Sequence, residues 1–291
     1  MSSSTTTTKK RSQLVEIWQR LIRNKMAMLG LAILLTLIGL AVLAPVLFDY
    51  DTQVVAQDLS IRLQGPSAAH WFGTDEFGRD IFVRMVYGAR VSLVVGLISV
   101  SVSLVIGGCL GAFAGFYGGK VDLIIMRVMD VFLAVPSILL AMTIVAALGT
   151  DLVYVMLAIG ISGVPNFARI VRAAVMGVKD QEFVEAARAI GASNATIIFR
   201  EVIPNCLAPI IVQATLSVAG AILSTASLSF IGLGVQPPDP EWGAMLSGGR
   251  NFMRDALHLT LFPGLAIVIT VLALNLLGDG LRDALDPRLK Q

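Results

Sequence analysis

Residues 26–48 read MAMLGLAILLTLIGLAVLAPVLF, 23 positions without one Asp, Glu, Lys or Arg. At about 1.5 Å of rise per residue such a helix is roughly 34 Å long, enough to cross a hydrocarbon core of about 30 Å with some tilt. Five more charge-free intervals follow, at 91–119, 131–150, 152–168, 202–238 and 256–278. The second and fifth overrun one helix but are too short for two plus a turn, and their ends at Phe116-Tyr117-Gly118-Gly119 and Gly234-Val235-Gln236-Pro237-Pro238 read as turns. The pattern predicts an all-α membrane protein with six transmembrane helices. Composition agrees: 291 residues are 56% hydrophobic and only 14% charged, with a mean hydropathy of +0.80, against about 25% charged in soluble domains. A net charge of +2 gives no reason to expect a nucleic-acid partner.

Lys and Arg set the orientation. With the N-terminus inside, sixteen of the 22 basic residues fall in inner segments, among them Lys9, Lys10, Arg11, Arg288 and Lys290. Only Arg62, Arg79, Arg84, Arg90, Arg250 and Arg254 fall outside, while acidic residues divide evenly. Both termini are therefore expected in the cytoplasm. The organisation predicted is a cytoplasmic segment 1–25, a first span 26–48, an extracytoplasmic loop 49–90, a five-helix core 91–281 with an inner loop at 169–206, and a tail 282–291. A cleaved signal peptide fits the first span poorly, because its apolar run exceeds an h-region of about 7–15 residues.

Two loops are too long to be connectors. The outer one carries His70-Trp71-Phe72-Gly73-Thr74-Asp75 and reads as a solvated cap with Trp71 and Phe72 at headgroup level. In the inner one Asp180 can cap a helix with Glu182 in its first turn, and Phe183, Ala186, Ala187 and Ile190 then share a face. Gly191 ends it, and Ser193 can cap a second short helix running to Glu201 before Pro204 stops it. Such a helix-turn-helix is a surface for another protein, its small Ala186-Ala187 face admitting a foreign backbone. The alternative is an amphipathic helix lying on lipid, which Glu182 and Glu185 disfavour.

Within the spans, Ser99, Ser103, Gly107, Gly111 and Gly115 recur every four residues, and Ser217, Gly220, Ser224 and Ser227 form a similar face. Small residues so spaced let helices approach closely in lipid, and packing is their expected use, ahead of lining a wet path. Kinks are expected at Pro136, Pro165 and Pro263. No ionisable residue falls at the predicted midplane of a span, which disfavours an ion-coupled secondary transporter.

Several chemistries are excluded. The segment from Gly115 to Lys120 looks like a phosphate loop, but Ala114 and Val121 stand where that motif needs Gly and Ser or Thr, so ATP-driven work requires a partner's site. Gly160-Ile161-Ser162-Gly163 resembles the serine motif of rhomboid proteases. Yet Ser162 lies about 15 Å below the outer surface by helical rise, far from His70 and His258 at the outer side, which leaves no base for an intramembrane serine protease. Two His and two Cys, Cys109 and Cys206, form neither a metal set nor a disulfide framework, and no cofactor is expected.

Glu185-Ala186-Ala187, then Gly191, then Ile203-Pro204 resembles the "EAA" loop of permease subunits from bacterial ATP-binding-cassette importers. Where that pattern often has Ile ten residues after the Gly, this chain has Glu201, with Val202 next to it. The runs from His70 to Asp80, from Ser229 to Pro238 and on through Trp242 to Leu246, and from Gly278 to Pro287 are similar to the "C" permease of dipeptide, oligopeptide, nickel and glutathione importers. The resemblance implies the type I importer permease fold in a bacterial inner membrane. It also implies a homologous second permease, two cytoplasmic ATPase subunits and an extracytoplasmic solute-binding protein. Phe183, Glu185, Ala186, Ala187, Ile190, Gly191 and Pro204 would then form the coupling site gripped by the ATPase, and the chain itself would catalyse nothing.

Overall fold

The computed structural model describes residues 13–285. Lys9, Lys10, Arg11, Arg288 and Lys290 of the charge pattern, and Asp286-Pro287 of the last motif, lie outside the described residues. Those described are helical, apart from loops and one antiparallel bridge between Thr74 and Asp80. Helix α1 (Gln13–Arg23) leads into α2 (Lys25–Leu47), whose start is fixed by Asn24, its side chain accepting from the Met26 and Ala27 amides at 3.1 Å. Then come α3 (Ile81–Tyr117), α4 (Gly119–Leu133), α5 (Ser137–Leu148), α6 (Leu152–Val178), α7 (Glu182–Ala189), α8 (Leu207–Phe230), α9 (Trp242–Gly249) and α10 (His258–Leu285). Helices α2, α3, α6, α8 and α10 are each long and apolar enough to cross a bilayer. Their outward faces are greasy: Val46 is 81% exposed.

The interval 131–150 is not one kinked helix. Helices α4 and α5 meet at an 84° bend, because Pro136 lacks a donor and pushes Val135 out of the helical region. Pro165 and Pro263, in contrast, sit inside continuous helices. Helix α3 starts ten residues before its charge-free interval, at Ile81, where Asp80 caps it by accepting from the Val83 amide at 3.1 Å. Its 37 residues reach about 56 Å, so its first turns stand clear of a hydrocarbon core of about 30 Å.

The bundle is organised by the small-residue face of α3. Ser99 Oγ donates to Met156 O at 3.0 Å and Ser103 Oγ to Gly160 O at 2.6 Å, both 57 residues ahead. The same offset continues without hydrogen bonds. A Cβ on Gly107 would lie 2.5 Å from Val164 O and one on Gly111 2.3 Å from Ala168 O, while one on Gly115 would be 2.8 Å from Arg172 O. A constant offset means that α3 and α6 run parallel, backbone against backbone, as the packing expectation required. Parallel neighbours place Tyr117 and the end of α6 at one level, so α4 and α5 together carry the chain back to the start of α6.

On the other side, α2 and α10 are antiparallel: Gly30 faces Ala273 O, and Gly280 faces Ala27 Cβ. The face Ser217-Gly220-Ser224-Ser227 of α8 does not pack as expected. Nothing lies within 4 Å of a Cβ on Gly220, and Ser217, Gly220 and Ser224 border an open cleft.

The outer loop is solvated from 55 to 71, with Trp71 exposed, but the stretch from Gly73 to Arg79 is tied down beneath it. Asp75 is buried and accepts from the Phe77 and Arg79 amides at 2.9 Å and from Arg79 Nε at 2.7 Å, with Arg84 Nε at 3.6 Å. Arg84 in turn donates to Val54 O at 2.8 Å. Trp71 is exposed, but Phe72 stacks on Phe262 of α10 at 4.0 Å. The knot is local around Asp75, whose partners lie two to nine residues on, while Arg84 to Val54 and Phe72 to Phe262 tie it to more distant segments of the chain.

Glu241, 1% exposed, caps α9 by accepting from the Gly243 and Ala244 amides at 2.8 Å, and also binds Ser229 Oγ at 2.7 Å and Ser92 Oγ at 3.3 Å. Replacing it by Ala removes a cap and strands two buried hydroxyls, an expected loss of about 2–4 kcal/mol. Thermal denaturation of the purified protein should register a fall in Tm, smaller for Glu241→Gln. An unchanged Tm for Glu241→Ala would contradict this account.

Candidate functional site

The inner loop is shorter than 169–206, since α6 continues to Val178 and takes Arg169 and Arg172 with it. These arginines pair with Asp130 at 2.7 Å and Asp122 at 2.5 Å on α4. Helix α7 is capped not by Asp180 but by Gln181, without a side-chain bond, and Glu182 and Glu185 supply negative charge to its first turn.

Its C-terminus is a complete Schellman turn. The Ala192 amide donates to Ala187 O at 3.1 Å and the Gly191 amide to Arg188 O at 3.0 Å, with Gly191 at φ +82°. Ala187 and Ala192 both pack on the cluster beneath, the apolar contact that accompanies this motif. Ser193 then caps the next segment, accepting from the Thr196 amide at 3.2 Å. That segment does not stop at Pro204. Ile197–Val202 is a π-helical turn, in which the Ile203 amide donates to Ile198 O, and Pro204 follows directly within the helical path. The wide turn absorbs one extra residue, bringing Val202 inward at 0% exposure where Glu201 occupies the position usual for an apolar residue.

The face expected from spacing is split. Phe183 and Ala187 are half-buried, while Glu185, Ala186, Gly191 and Pro204 are exposed and Ile190 projects at 86% exposure. The residue that seats α7 is Val184, fully buried against Val171 and Val175 of α6 and Ile197, Ile198 and Val202. Val184 lies three residues before Ala187, so the same spacing rule points to it. Arg188 adds a cation-π contact to Phe116 at the end of α3, 5.6 Å from the ring centroid. The result is a stiff ledge on the paired ends of α3 and α6, apolar beneath and bearing Ala186 and Ile190 outward. Burial pushes the Cys206 thiol behind it up to about 11, so it is protonated and inert at neutral pH.

Ser162, the candidate nucleophile, gives its hydroxyl to Ile159 O at 2.8 Å. His70 is bound to Asp80 at 2.8 Å and His258 lies 3.3 Å from Thr74 O.

Residues 107–291, which include the ledge, match the model of the binding-protein-dependent transport system inner membrane component family. This chain belongs to that family. Residues 12–66 match the N-terminal transmembrane domain of oligopeptide transport permease C. The permease is 52% identical to the dipeptide transport system permease protein DppC of Alkalihalophilus pseudofirmus, over 94% of this chain and 90% of that one. It is 47% identical to the di/tripeptide transport system permease protein DppC of Pseudomonas aeruginosa, covering 96% and 93%. With the glutathione transport system permease protein GsiD of Escherichia coli it shares 48% identity, covering 94% and 90%. In fold, the permease is similar to a chain of the MetNI methionine transporter solved in inward-facing conformations, with a TM-score of 0.58 and 19% identity over 70% of this chain and 96% of that one. It is a multi-pass inner-membrane transport subunit.

Proposed function

We propose that this permease forms half of the translocation pathway of an ATP-driven importer for peptides or a related small solute such as glutathione. A second, homologous permease supplies the other half, two ATPase subunits dock below, and a solute-binding protein delivers from outside. The chain crosses six times, with the bent pair α4–α5 as one crossing and both termini cytoplasmic. The parallel run of α3 and α6 supports this count, because the chain between them must return across the bilayer. The clustering of Lys120, Arg127, Arg169, Arg172, Lys179 and Arg188 near the α7 end supports the orientation.

The observation that carries the reading is the outward edge of α7: an isoleucine 86% exposed at the end of a helix that is seated on the bundle by the fully buried Val184. Glu185, Ala186 and Ile190 meet the ATPase, Phe183 and Ala187 seat the helix, Gly191 shapes its exit, and Pro204 marks the far end of the ledge. Because α7 rests on Val171 and Val175 of α6 and touches Phe116 of α3, its displacement moves both helices as a unit. ATP binding that closes the motor subunits thereby favours one opening of the pathway, and the docked contact must differ between the two states.

The test is a single cysteine at Ala186 in the assembled complex. A short bifunctional crosslinker is expected to join it to the ATPase subunit, more efficiently in one nucleotide state. Adducts confined to lipid or to this chain would overturn the docking role.

A further inference from the structure

Helices α3, α5, α6 and α8 border a cleft of about 180 Å³ distinct from the ledge. Its wall carries Ser137, Asn166, Gln213, Ser217 and Ser224. Elsewhere in the spans, hydroxyls such as those of Ser101, Thr143, Thr215 and Ser227 donate to the carbonyl four residues back. On this wall Gln213 Nε2 donates to Ser217 Oγ at 3.1 Å. Ser137, Asn166 and Ser224 have no partner among the described residues. Among the described residues outside the cleft, the other amide in a span so placed is Asn275, exposed on α10.

An unpaired amide or hydroxyl facing hydrocarbon costs a few kcal/mol. Three unpaired polar groups gathered on one open face beside the Gln213–Ser217 pair therefore require water or a hydrogen-bonding ligand in front of them. The wall holds no charge, so the ammonium and carboxylate termini of a peptide stay hydrated in front of it, while its amides and hydroxyls match the donors and acceptors of the peptide groups between them. From Gln213 to Ser224 is about 16 Å of helix, the length of roughly five extended residues, so a di- or tripeptide meets only part of it at a time. We infer that this wall is where the subunit touches solute in transit, holding main-chain amides and ignoring side-chain charge. The inference rests on the permease reading above and names the surface that reading leaves open.

The experiment uses the complete complex with Cys109 and Cys206 replaced by Ala. Single cysteines at Asn166 and Ser224 are expected to react with both cationic and anionic methanethiosulfonates far faster than one at Leu223, which is exposed on the same helix but outside the cleft. In proteoliposomes the double variant Asn166→Leu/Gln213→Leu is expected to lower Ala-Ala uptake about tenfold, the effect of one or two lost hydrogen bonds. Ala-Lys and Ala-Glu should fall alike, with the complex still monodisperse on gel filtration. Cysteines as unreactive as that at Leu223, or crosslinking only to the second permease, would make the wall a packing seam and overturn the inference. A loss confined to one dipeptide charge would overturn the main-chain assignment. Failure of the docking reading would appear separately, as a missing ATPase adduct from the cysteine at Ala186.

Discussion

Gly111→Leu should leave no folded subunit in the membrane. A Cβ there lies 2.3 Å from Ala168 O and 3.0 Å from its Cα, backbone atoms that no rotamer change moves. Accommodating the side chain means parting α3 from α6, which also lengthens the bonds from Ser99 and Ser103 to Met156 O and Gly160 O. Overpacking of a sealed contact costs about 1–3 kcal/mol, and the broken intramembrane hydrogen bonds add to it. Gly108, three residues before Gly111, is the internal control: a Cβ there meets only Leu104 Cδ1 at 3.8 Å, so Gly108→Ala should be neutral. Membrane yield and the Tm of the detergent-purified protein would check both. A Gly111→Leu variant recovered at wild-type yield and Tm would mean that α3 and α6 are not in backbone contact.

Gly191→Trp should produce the opposite phenotype, an assembled but uncoupled transporter. Nothing lies within 4 Å of a Cβ at Gly191, so the penalty is conformational and not steric. Its φ of +82° is one that a side chain occupies at a cost of about 1–2 kcal/mol. The turn relaxes, the Ala192 amide leaves Ala187 O, and the exposed edge at Ala186 and Ile190 shifts relative to the segment beginning at Ser193. Uptake should fall at least about tenfold, the equivalent of roughly 1.4 kcal/mol of lost coupling. Hydrolysis of ATP should no longer respond to loaded binding protein. Gly191→Asn should be milder, since Asn tolerates the left-handed region. A normal hydrolytic response in Gly191→Trp would refute the role given to this turn.

The long spans, the helix ends at Gly118 and Gly191 and the cap at Ser193 were all legible from residue type, because backbone chemistry enforces them locally. Expectation and structure part where two local preferences competed. Spacing put Phe183, Ala186, Ala187 and Ile190 on one face, but the apolar ends of α6 seat Val184 and leave Ile190 outside. The rule that Pro ends a helix failed at Pro204, where the π-helical turn before it relieves the missing donor. The two small-residue faces illustrate the same limit: one packs helix to helix and the other stands open, and no property of either run distinguishes them.

Hydrophobicity and charge along the chain thus decide how many helices enter the lipid and which end carries positive charge, since each segment meets the solvent on its own account. Which faces meet is a property of pairs. The constant offset between α3 and α6, the burial of Glu241 among groups from three elements, the ledge on which α7 rests and the unpaired polar wall facing the cleft all join residues far apart in sequence. Each depends on close steric fit and on the satisfaction of buried polar groups, and neither is set until the whole bundle has closed.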